Sequence, residues 1–275
     1  MIKSKLTRFA LIALAGAALT ANSAKAAVVT FDNGDLVLGF RSGASSVYQF
    51  NLGLATSFRD NSNVGFIANI NTDLEAAFGA GWFSDATLFW GIAGVKSNIN
   101  SDPVVNGDAA QTIYLSKART NLVTGSTAPS VTLQSQRAAS ATSIMGMQNV
   151  FNTQTATTTP ASLGRGAEVA KSVVGDWSEY VGGTDFIALP DIEQNMGAVS
   201  NGSFAGVSNV EGALDVYRLL NPASGSSTGT LETTFVIRQN GDIYAIPEPS
   251  TYALLGMSGL AIAFFVRRRN QNLKA

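Results

Sequence analysis

The tripeptide Asn-Gly-Asp occurs three times in this chain, at residues 33–35, 106–108 and 240–242. Asn-Gly accepts the positive φ angles that a two-residue hairpin loop demands and is the strongest short-range signal for antiparallel strands. Short apolar runs flank the first and third copies. They predict hairpins over residues 28–40 and 231–246. Asp and Asn oxygens are also hard ligands suited to calcium. The D-x-[DN]-x-[DN]-G spacing of a calcium loop is missing, so turn chemistry is the preferred reading.

Further strands are expected at residues 47–54, 87–95, 110–115 and 214–219, the second of them apolar enough to be buried on both faces. Three helices are predicted. Residues 71–79 carry Thr72 and Glu75 at capping-box spacing and end on Gly79. Residues 136–151 place Ile144, Met147 and Phe151 on one face. Residues 167–180 form a third, weakened by Gly175. Residues 152–160 and 221–230 read as loops and 186–205 as turn-rich. The expected fold class is mainly β, a β-rich α+β arrangement. An antiparallel sandwich or barrel-like domain with a few short helices would span residues 27–245.

The chain contains no cysteine and no histidine. Disulfide scaffolds, Cys nucleophiles, Ser-His-Asp triads and Cys/His zinc sites are therefore excluded. A domain of this length without disulfides must be held by its core.

The two ends differ from the middle. Lys3, Lys5 and Arg8 precede an eleven-residue apolar run, residues 9–19, and Ala24-Lys25-Ala26 follows as a small-x-small cleavage site. This is the tripartite pattern of a signal peptide over residues 1–26, cut after Ala26, with signal peptidase and the export translocon as partners. At the other end, residues 246–275 hold Pro247-Glu248-Pro249, then seventeen residues (250–266) without a charge, then Arg267-Arg268-Arg269. Seventeen residues make a helix about 25 Å long, the short limit for a membrane span. The arginines would act as a cytoplasmic stop-transfer cluster, with residues 27–246 on the far side.

This ordered tail resembles the PEP-CTERM sorting domain of exopolysaccharide-producing Gram-negative bacteria. The resemblance implies recognition by an exosortase, a membrane-embedded sorting enzyme that would cut near Pro247-Glu248-Pro249 and release the protein or transfer it to the surface. Parts of the middle, among them residues 33–40, 71–82, 89–94 and 214–219, are similar to a recurrent ectodomain that accompanies such tails. That likeness implies no particular activity.

Eight of the 18 basic residues lie in the terminal segments and all 19 acidic ones between residues 27 and 249, which leaves the exported part with 10 basic and 19 acidic residues, a net of −9. Such a surface repels nucleic acid, and none is expected as a partner. Residues 225–229 match G-x-S-x-G but have neither a helix after them nor a His base, so they read as a loop. The pairs Asp73/Glu75, Asp176/Glu179 and Asp191/Glu193 raise a carboxylate-dependent glycoside hydrolase as one alternative. Trp82 and Trp177, near the ends of their predicted elements, would be exposed platforms for sugar stacking, while Trp90 reads as core. A carbohydrate-binding module for exopolysaccharide is thus a second alternative. The main expectation is a non-enzymatic surface or matrix protein of the biofilm type, with no cofactor and no metal.

Overall fold

The computed structural model describes residues 29–246 except 30, 44–45, 60–63, 97–107, 132–133, 155–163, 172–175, 182–191, 200 and 221–226. The signal segment with Ala24 and Ala26, the tail from Pro247 through Arg269, Asn106-Gly107 and Asp191 lie outside the described residues.

Asn33-Gly34 and Asn240-Gly241 both turn the chain, with φ of 95° at Gly34 and 76° at Gly241. Only the second closes a hairpin. It joins β12 (Thr230–Arg238) to β13 (Asp242–Ile246). At the first turn no strand precedes β1 (Asp35–Arg41) among the described residues, and β1 pairs instead with β2 (Ser46–Leu54) and β4 (Phe89–Val95). Val29 has a different partner: its N–H bonds Gln154 O, and Phe31 meets the ring of Phe151 edge-on at 6.4 Å. The predicted hairpin over residues 28–40 is thus corrected, because a helix takes up its first arm.

The remaining strands are β3 (Gly65–Asn69), β5 (Ile113–Ala118), β6 (Ser130–Val131), β7 (Gly166–Ala170), β8 (Glu193–Asn195), β9 (Gly202–Phe204), β10 (Val207–Leu219) and β11 (Ser227–Thr228). One antiparallel sheet of eleven strands runs β3-β13-β12-β10-β5-β4-β1-β2-β7, with β8 added on β4 and β9 on β10. β6 and β11 form a separate small ladder.

The sheet is curled. α1 (Ala55–Arg59) touches both β2 and β12, which stand five places apart in the strand order. A flat sheet at about 4.8 Å per strand would hold them roughly 24 Å apart, while a five-residue helix is only about 7.5 Å long. Phe58 of α1 meets Phe235 of β12 at 4.9 Å between ring centroids. The result is a half-barrel: among the described residues, edges β3 and β7 do not pair. It resolves the expected choice between sandwich and barrel in favour of a single curved sheet.

Alternation along the strands builds two cores. Leu36, Leu38, Phe40, Tyr48, Phe50, Trp90, Leu214 and Phe235 face the concave side, covered by α1, α2 (Asn71–Phe78) and a 3-10 turn at Trp82–Ser84. Val37, Val47, Ala93, Val95, Ile113 and Leu115 face the convex side beneath α3 (Gln134–Phe151) and α4 (Trp177–Tyr180). Ile144, Met147 and Phe151 of α3 are all buried, as their spacing predicts.

Two helix expectations change. The helix expected over residues 167–180 is instead β7 followed by the short α4, because Ala167 and Val169 alternate and pair with Gln49 and Val47 of β2. In α2 the Thr72 side chain does not cap. Asn69 Oδ1 accepts the N–H of Asn71, and Asn71 Nδ2 donates to Glu75. The local closure is the expected kind with different donors. Among the described residues no helix is long and apolar enough to cross a membrane.

Candidate functional site

The last strand leads straight into Pro247-Glu248-Pro249. β13 lies inside the sheet, between β12 and β3. Ile243 and Ala245 fill the concave core at 0% exposure, and Ile246 is 4% exposed. Thr233 Oγ1, itself buried, donates to Ile246 O at 3.0 Å. The next residue, Pro247, has no N–H to give a ladder and so ends the strand. Pro247-Glu248-Pro249 therefore follows the last described strand directly, with no spacer of Gly, Ser or charge between them.

Both candidate stacking platforms are buried. Trp82 and Trp177 are each 0% exposed. Trp82 donates its indole N–H to Asn71 Oδ1 at 3.0 Å and packs edge-on to Phe83 under the concave core. Trp177 lies over β1 and β4, where Gly39 and Gly91 sit opposite one another in register. Only glycines admit it: a methyl at Gly39 would stand 2.0 Å from Trp177 Cδ2. Its N–H reaches Glu193 Oε1 at 2.9 Å. The expectation that these rings face solvent is corrected. The polar and Gly-rich neighbours of both tryptophans suggest element ends, and they are; those ends turn inward. The glycines inside two apolar strands are the sequence signal for a ring lying across them.

The carboxylates singled out from sequence hold the fold together. Tyr48 OH donates to Asp73 at 2.6 Å, and burial, reinforced by Asp73, pushes the Tyr48 phenol well above its ordinary range, so it stays a donor. Asp176 caps α4, accepting from the N–H groups of Ser178 and Glu179 at 2.6 and 3.1 Å. Glu193 accepts from Arg41 Nε at 2.8 Å as well as from Trp177.

Two further polar clusters escape sequence reasoning. Asp215 in β10 is fully buried, and its carboxylate accepts from Arg119 Nε (3.0 Å), Thr234 Oγ1 (2.6 Å) and Ser126 N (2.7 Å). Arg119 is 2% exposed and stacks over Phe204 at 4.7 Å. This cluster ties the segment after β5 to the convex face. Asp108, the last residue of the second Asn-Gly-Asp, accepts from Tyr114 OH and from Arg59 and Arg218. Burial first, then the Asp108 hydrogen bond, raises the Tyr114 phenol. The signal for the first cluster is an acid, Asp215, between Leu214 and Val216 in the apolar half of β10. Among the described residues no group of three or more His, Cys, Asp or Glu side chains is placed to hold a metal ion.

The curled β domain is thus followed directly in sequence by a Pro-Glu-Pro triplet, an uncharged run over 250–266 and three arginines. Residues 245–269 match the PEP-CTERM protein-sorting motif, so the chain carries that motif, and the match starts on Ala245 and Ile246 of β13. The motif marks the protein for export and sorting to the cell envelope or surface and implies recognition by an exosortase. Neither a curated protein nor a solved structure matches the chain.

Proposed function

We propose that this is a non-enzymatic protein of the cell surface or extracellular matrix, delivered through its C-terminal sorting motif. An N-terminal signal of residues 1–26 takes the chain into the translocon. Residues 250–266 hold it briefly in the membrane, with Arg267, Arg268 and Arg269 left on the cytoplasmic side. The exosortase then cuts near Pro247-Glu248-Pro249 and frees or transfers the β domain to a biofilm or exopolysaccharide setting. The observation that carries this reading is the match at residues 245–269, which begins inside the last core strand. The commitment of Asp73, Asp176, Glu193, Asp108 and Asp215 to capping, ion pairs and hydrogen bonds supports a structural rather than a catalytic role.

Mass spectrometry of the mature protein tests it. The expected C-terminus falls at or just beyond Ile246 and the expected N-terminus at Ala27. A chain recovered from the envelope with residues 250–269 intact would overturn the processing step. Deletion of residues 247–269 is expected to deplete the protein from the envelope, and unchanged fractionation would remove the sorting role.

A further inference from the structure

The sheet has two ends, and the tail leaves from one of them. Antiparallel pairing fixes which residues share that end. Ala245 is opposite Gly65, Ile246 opposite Thr234 and Arg218 opposite Thr230. Leu219 and Val95 both face Ile113, Gly94 faces Leu36, and Asp35 faces Leu54. The end of the sheet from which β13 leaves thus includes the end of β2, the start of β3 and the end of β10, the last reaching four residues past Ile246 along β12. Leu54, Val64, Phe66 and Leu220 lie there, exposed by 40%, 42%, 56% and 43%. Among the described residues one other large hydrophobic is exposed, Val123. It follows Leu122, which packs on Gly202 beside the start of β10, at the far end.

From these placements the geometry points to a membrane-facing rim: Leu54, Val64, Phe66 and Leu220 rest in the headgroup layer of the bilayer while the tail is still attached. The inference rests on reading residues 250–266 as a membrane span. Three residues, Pro247 to Pro249, separate β13 from that run. Fully extended they reach about 10 Å, and the headgroup layer is itself roughly 5–8 Å deep. A domain on so short a leash brings its exit rim to the lipid. Large apolar side chains gathered on one rim suit that boundary, as exposed apolar patches mark surfaces that meet something other than water. At this end Arg59 and Arg218 are turned on Asp108 and Arg218 on Glu232, while Asp32 and Asp35 beside Leu54 are acidic, so the contact is apolar rather than a polybasic attraction.

The chain has no cysteine, so one substitution gives one labelling site. Full chains carrying Leu54→Cys, Phe66→Cys, Leu220→Cys or Val123→Cys, labelled with an environment-sensitive fluorophore, are reconstituted into phosphatidylethanolamine–phosphatidylglycerol vesicles with nitroxide headgroup lipids. Variants whose melting matches the parent chain are compared. The probes at 54, 66 and 220 are expected to lose most of their emission to the nitroxide, with no relief in high salt, and the probe at 123 to keep its emission. Floating protein whose rim probes remain unquenched, or whose probe at 123 is quenched equally, overturns the membrane-facing rim and leaves the span standing. Unquenched rim probes that shift to the blue as protein concentration rises assign the rim to a second copy and overturn it too. Failure of the parent chain to float with the vesicles removes the span itself, and the rim with it.

Discussion

At Gly39 a methyl group would overlap the indole of Trp177, and at Gly91 it would stand 3.0 Å from the same ring. Overpacking of a filled core costs roughly 1–3 kcal/mol and sometimes more, so Gly39→Ala is expected at the upper end of that range in chemical denaturation. Trp177→Ala should cost about 3–5 kcal/mol. In the Trp177→Ala background, Gly39→Ala should become nearly neutral, because the atoms it meets are gone; the double-mutant cycle reads that coupling. Asp35 supplies a second test. Burial raises its carboxyl from the ordinary 3.8, against opposing hydrogen bonds from Asp32 N–H and Asn51. The folded protein therefore binds this proton more tightly than the unfolded chain does. The contribution of Asp35 to stability grows as pH falls from neutral toward the carboxylate range and is lost as pH rises through the folded value. Melting temperatures of the parent and Asp35→Asn, compared across that range, should drift in the parent's favour as the solution is acidified.

Individual elements differ in how plainly the sequence announces them. β4 and α3 are readable because their burial is one-sided or complete and their apolar spacing says so. The hairpin at Asn240-Gly241 is readable because both arms are apolar and adjacent. The turn at Asn33-Gly34 has the same local chemistry, yet its first arm goes to α3, a choice made by residues more than a hundred positions away. β7 was hidden because Ala167 and Ala170 fall at helical i, i+3 spacing while Ala167 and Val169 fall at the strand period, and five residues do not separate the two. The buried Asp215–Arg119 pair lies beyond local reading, since the partners of Asp215 come from two remote segments, residues 119–126 and β12. Removing one member of such a pair leaves a buried charge, typically 3–5 kcal/mol. Asp215→Ala is expected to lose that much and to expose residues 120–129 to protease under native conditions. Replacing both partners by Arg119→Met and Asp215→Leu should recover a large part of the stability.

For the molecule as a whole, the sorting tail was legible in sequence because it is an ordered string of three local signals, and the antiparallel β class was legible too, whereas the choice of half-barrel over sandwich was not, because α1 bridges strands that are remote in the sheet. The boundary between them is sharp enough to test. A chain ending at Ile246 should melt like the full domain. One ending at Gln239 should not fold, since it strips β13 from between β12 and β3 and uncovers Ile243 and Ala245. Circular dichroism of the two truncations separates them.

That closing strand also sets a timetable. β3 is made early in the chain, yet its hydrogen-bonding neighbour is β13, and Asn69 reaches Asp242 across 173 positions. Such distant pairing is slow to find. Under the export proposed above, β1 and β2 can pair as they emerge, but β3 must wait for the final residues, so this domain completes itself only after nearly all of its chain has crossed.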